Sequence, residues 1–72
     1  MPRWNQSVYS EMVESVGYDS DTGELFVTFI SGSEYVYEGV PEDVALDLAN
    51  SASVGGMMNS DIKGRYPYRR IG

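Results

Sequence analysis

The sequence predicts one small α+β domain: a three-stranded antiparallel β-meander followed by one or two short α-helices and an extended C-terminal tail. Three observations predict it. From Leu25 the chain alternates, with Leu25, Val27 and Phe29 on one side, and Tyr35 and Tyr37 continue that period beyond Ser31-Gly32-Ser33. Pro41-Glu42-Asp43 then has the chemistry of a helix start, with a proline where a missing N–H costs nothing and acids where the helix dipole favours them. A length of 72 residues leaves room for one domain with one core.

Residues 1–10 are polar around Trp4 and read as a loose N-terminal arm anchored by one indole, leaving residues 11–72 as the domain. Apolar positions 12, 13, 16 and 18 fit a first strand, with Gly17 marking a bulge or a close approach of another backbone. Asp19, Asp21 and Gly23 make a turn, type I with Gly23 in the left-handed region. The carboxylates of Asp19, Asp21 and Glu24 are assigned to that turn, with a weak ion site as the alternative, because a calcium loop needs further oxygen ligands, a closing glutamate and flanking helices. In the second strand Phe26 and Ile30 lie opposite Leu25 and Val27, so the strand is expected to be central and covered on both faces.

Residues 34–38 form the third strand. In the helix that follows, Val44 with Leu48 and Ala45 with Ala49 make the stripe that lies on the sheet, Asp47 points outward, and Asn50-Ser51 ends it. Ser53 is placed to cap a second short helix through residue 62, although Gly55 and Gly56 each weigh against it by about 1 kcal/mol relative to alanine. Gly64 stops that helix, and Tyr66-Pro67-Tyr68 is extended because proline pushes the preceding residue out of the helical region.

The chain has no cysteine and no histidine, which excludes disulfides, thiolate nucleophiles and the commonest zinc ligand. No cofactor and no metal are expected. A chain this short is also not expected to form a pocket of a few hundred cubic ångströms, so it is not expected to be an enzyme. Without an apolar run of signal-peptide or membrane-span length, a cytoplasmic monomer with no membrane partner is the expectation.

The net charge of −6 hides a split. All 11 acids and Arg3 fall in residues 1–62, whereas residues 63–72 hold Lys63, Arg65, Arg69 and Arg70 and no acid, −10 against +4. Cations that take phosphates, interleaved with tyrosines on which bases stack, make Lys63, Arg65, Tyr66, Tyr68, Arg69 and Arg70 the candidate nucleic-acid-binding residues. The structural alternative has Tyr66 and Tyr68 packing on the sheet while Lys63 and Arg65 pair with acids of the body. Tyr18, Tyr35 and Tyr37 are likewise either core, under the helices, or an exposed aromatic platform.

Val16-Gly17-Tyr18-Asp19, the Leu25, Val27, Phe29 alternation, G-S-x-Y-x-Y-x-G-V-P from Gly32 to Pro41, Ser53 with Gly55, and N-x-x-I-K-G-R-Y-P-Y-R from Asn59 to Arg69 together resemble the KTSC domain. Ala45 and the pair Met57-Met58 depart from it, standing where that family has aromatic residues. The resemblance implies a small domain to which no catalytic activity is attached, found at the C-terminus of some lysyl-tRNA synthetases and as stand-alone proteins of bacteria and phages. The expected function is therefore a non-catalytic binding module contacting RNA or another nucleic acid through the basic tail. The alternative is a protein-interaction module, such as a phage-encoded effector, docking through its acidic body at Glu42, Asp43 and Asp47.

Overall fold

Leu25 and Val27 alternate along the central strand, and neighbouring strands pair with it in a register that stacks apolar side chains into rows. The computed structural model describes residues 3–8 and 11–72, the Arg3 side chain excepted; Met1, Pro2, Tyr9 and Ser10 of the expected arm lie outside them. The strands are β1 (Arg3–Ser7), β2 (Val13–Asp19), β3 (Glu24–Phe29), β4 (Glu34–Tyr37) and β5 (Tyr68–Arg70), all antiparallel and in the order β1-β2-β3-β4-β5. Two helices, α1 (Glu42–Ala49) and α2 (Val54–Met57), come between β4 and β5.

The sheet thus has five strands where three were expected. Trp4, Tyr18, Leu25, Tyr37 and Tyr68 are successive register partners and form one row across all five. The expected loose arm is the edge strand β1, held by Trp4 against Tyr18 with ring centroids 6.0 Å apart. Part of the tail is the other edge strand. An edge strand pairs on one side, and here each needs one inward aromatic, so neither shows the alternation that betrays a central strand.

Gly17 is a close approach and not a bulge. A Cβ there would sit 3.1 Å from the Trp4 carbonyl oxygen, while the register shift in β2 lies between Val13 and Ser15. Gly23 takes φ +74° in the β2–β3 turn, its N–H donates to the Asp19 carbonyl at 2.8 Å, and the Asp21 N–H donates to Asp19 Oδ1 at 2.9 Å. The Val40 N–H donates to the Gly23 carbonyl at 3.0 Å, which ties this turn to the approach to α1.

In α1, Ala45, Leu48 and Ala49 are buried, Asp47 is exposed, and the helix packs against β2. The second helix forms despite its glycines, because Val54, Met58 and Ile62 are all buried against the sheet layer's core. Its last turn, Met58–Ile62, is π-helical and closes with the Lys63 N–H donating to the Met58 carbonyl at 2.8 Å. Ser53 precedes α2 as expected, but its side chain makes no capping bond.

The helices cover one face only. The expectation of β3 covered on both sides is corrected: the row Gly17, Phe26, Val36, Arg69 faces away from the helices, and Phe26, the β3 residue in it, is only partly buried. Among the described residues no helix is long and apolar enough to cross a membrane.

Tyr18 is buried, and its hydroxyl donates to the Val40 carbonyl at 2.6 Å. Burial first, then the negative charges of Glu42, Asp43 and Asp19, raise its pKa above the ordinary 10.0; burial likewise raises that of Tyr37. The unfolded chain therefore loses these phenolic protons at lower pH than the folded one, so the stability they contribute is complete below pH 10.0 and is lost as pH climbs above it. Tyr18→Phe is expected to flatten that alkaline loss while costing about 1–2 kcal/mol at neutral pH, since the Val40 carbonyl loses its buried donor. Urea midpoints from about pH 8 to about pH 11 measure both effects.

Candidate ligand-binding groove

Five strands spaced about 4.8 Å apart span about 19 Å, whereas an eight-residue helix is about 12 Å long. With α1 on β2, the helical layer leaves part of the β3–β5 side of the same sheet face open. The opening is a groove of about 890 Å³. Its floor is aromatic: Phe29, Tyr35, Tyr37 and Tyr68, with Met12, Ile30, Ser31 and Ser33 toward the β3–β4 turn and Lys63, Gly64 and Glu11 completing the lining. The expectation that so short a chain forms no such space is overturned, because the groove is open and needs no enclosing walls.

Register explains how the floor assembles. Tyr37 pairs with Tyr68, and Tyr35 lies one pleat further along the same face, so rings distant in sequence meet. Phe29 and Tyr35 meet edge to face with centroids 5.6 Å apart, while Tyr68 lies 5.8 Å from Tyr35 and 5.6 Å from Tyr37. Tyr37 is buried and Tyr35 half-buried, but Tyr68 is 60% exposed and presents its ring to solvent. Of the three tyrosines read as core or platform, Tyr18 and Tyr37 are core, and Tyr35 belongs to both.

The π-helical turn delivers Lys63 to this floor, its ammonium 5.7 Å from the Phe29 ring centroid, within reach of a cation–π attraction. Arg70 pairs with Tyr35 and so stands on the groove side of the sheet, where its Nε donates to the Gly72 carbonyl at 2.9 Å. Arg65 is exposed just after Gly64, and Tyr66 is half-buried against the core.

Arg69 is on the other face. Its Nη atoms donate to Glu38 Oε2 at 2.9 Å and Glu24 Oε2 at 3.0 Å, and these bonds, the one to Glu24 foremost, raise its pKa above the ordinary arginine value. The six tail candidates are therefore not one patch: Lys63 and Tyr68 line the groove, Arg70 shares its side of the sheet, and Arg69 is matched by two acids behind it. Glu42, Asp43 and Asp47 are exposed on α1 and do not line the groove. No group of three or more acidic residues that could hold a metal ion occurs among the described residues. Sequence reasoning missed Glu11, Met12 and Phe29 as lining residues; the parity that Phe29 shares with Leu25 and Val27 was the available signal.

A profile of the KTSC domain matches residues 9–66. The chain belongs to the KTSC family. Among its relatives, a lysine–tRNA ligase of Nostoc punctiforme is 35% identical over 60 residues, 83% of this chain and 11% of the ligase. A protein of Tsukamurella paurometabola is 36% identical over 61 residues, which are 85% of this chain and 91% of that one. This KTSC domain therefore spans about a tenth of the ligase's length and most of the Tsukamurella protein's. The crystal structure of a KTSC domain protein from Yersinia pestis superposes with a TM-score of 0.89 at 35% identity, covering 99% of this chain and 100% of that one. The KTSC match takes in Phe29, Tyr35, Tyr37 and Lys63 of the groove and ends before Tyr68.

Proposed function

We propose that this KTSC domain is a non-catalytic binding module whose groove takes a short single-stranded RNA segment. The observation that carries the reading is the exposed Tyr68 ring beside Tyr35, on a floor that also holds Phe29 with Lys63 above it. Aromatic faces accept bases of any sequence, and cations beside them take the phosphates. Lys63, Arg65 and Arg70 serve as those cations, and Arg69, matched by Glu24 and Glu38, does not. The groove's hydroxyl groups have neither histidine nor cysteine beside them, as the chain contains none, which favours binding over catalysis. Two relatives are lysine–tRNA ligases, proteins named for a tRNA, and that association supports an RNA ligand.

The test is fluorescence anisotropy of a labelled RNA pentamer titrated with the protein at several salt concentrations. Three phosphate contacts on a single strand give a slope of about −2 in log affinity against log salt, where four give about −3. Lys63→Ala is expected to weaken binding and flatten the slope, while Arg69→Ala leaves affinity within about twofold. No change in anisotropy at low salt, where attraction is strongest, defeats the RNA reading.

A second reading has one specific observation in its favour. Leu46, 44% exposed, stands on α1 among Glu42, Asp43 and Asp47, an apolar anchor in an acidic setting that suits a basic segment of a protein partner. Amide shifts from such a partner that cluster on α1 and spare the groove would favour it.

A further inference from the structure

Resting on the RNA reading above, we infer that Glu11 makes the groove selective for guanine. Among the described residues Glu11 is the one carboxylate that lines the groove. Near a phosphate it repels, so in an RNA site it opposes binding unless it faces a base edge. Its neighbour Met12 is tied to the β3 end of the groove, where the Ile30 N–H donates to the Met12 carbonyl at 2.9 Å. Met12, 39% exposed, also lines the groove and offers a flexible thioether against a base face.

An ionised carboxylate has two acceptor oxygens and no donor. Guanine has two adjacent donors on its Watson–Crick edge, N1–H and the N2 amino group, spaced to meet both oxygens. In adenine and cytosine the amino group adjoins a ring nitrogen acceptor, and in uracil the N3–H stands between two carbonyl oxygens, so each sets a lone pair against the carboxylate. A bidentate match of this kind discriminates by about tenfold or more. The aromatic floor supplies sequence-tolerant stacking, and Glu11 adds the choice of base.

The experiment compares the RNA pentamers UUGUU, UUAUU, UUCUU and UUUUU by anisotropy at low salt, with wild type, Glu11→Ala and Glu11→Gln. The expected result is that wild type binds UUGUU about tenfold more tightly than the other three. Glu11→Ala abolishes the preference while strengthening the other three slightly, since a negative charge is gone; Glu11→Gln, with one acceptor and one donor, also loses it. Glu11 is exposed, so both variants are expected to melt with wild type, which a thermal scan checks. Equal binding of all four pentamers by wild type overturns the guanine inference and leaves the RNA reading standing. A preference that survives Glu11→Ala overturns the role of Glu11, and no binding of any pentamer overturns both proposals together.

Discussion

Leu48→Ala lowers stability by about 3 kcal/mol, enough to lower the melting temperature of a domain this size by about 12–24 °C. Leu48 is fully buried on the face of α1 that packs against β2. Its helical neighbours Ala45 and Ala49 are too small to spread into the space it leaves, and Gln6 Nε2, donating to the Ala49 carbonyl at 3.2 Å, holds the helix end in place. The lost transfer free energy is thus joined by the cost of a cavity that does not collapse. For 72 residues the whole stability is about 4–11 kcal/mol, so the variant loses a large part of it. Leu46→Ala, two residues away and half-exposed, is expected to change stability by about 0.5 kcal/mol or less. Circular dichroism melts of the two variants measure the contrast, and equal effects would mean that α1 presents a different face to the sheet.

On the proposed RNA reading, Tyr68→Ala is expected to weaken binding by about 5- to 150-fold, the effect of about 1–3 kcal/mol for one stacked base. The ring is the most exposed of the four on the groove floor, and it lies tilted against Tyr35 and Tyr37, with centroids 5.8 and 5.6 Å away, before any ligand arrives. A pre-set aromatic face loses little side-chain entropy on binding, so most of the stacking energy appears as affinity. Tyr68→Phe keeps the ring and is expected to bind within about threefold of wild type, which separates stacking from the hydroxyl. β5 retains its backbone pairing with β4 and the Arg69 bonds to Glu24 and Glu38, so Tyr68→Ala still folds. Unchanged affinity in a folded Tyr68→Ala domain would remove the groove as the place where bases stack.

How far each feature was legible follows from how local its cause is. The central hairpin, the Gly23 turn and the buried stripe of α1 each arise within a few residues, from alternation, a left-handed glycine and an i, i+4 pattern. The KTSC motifs, in the hairpin, at Ser53 and Gly55 and in the run from Asn59 to Arg69, are likewise short and contiguous, which is why the family was readable too. β1 and β5 were not, since an edge strand's pairing depends on where a distant partner presents its free N–H and C=O groups. The groove depends on something further still: how much of a five-stranded sheet two short helices cover.

The amino-acid sequence by itself determined one domain, its antiparallel core, its helical face and a basic C-terminal run of Lys63, Arg65, Arg69 and Arg70. Only the tertiary structure decided where the side chains of that run lie. Once Tyr68–Arg70 pairs with β4, the pleat sends successive side chains to opposite faces. Arg70 turns to the groove side and Arg69 to Glu24 and Glu38 behind it, so adjacent charges that look like one patch are divided by the sheet they join.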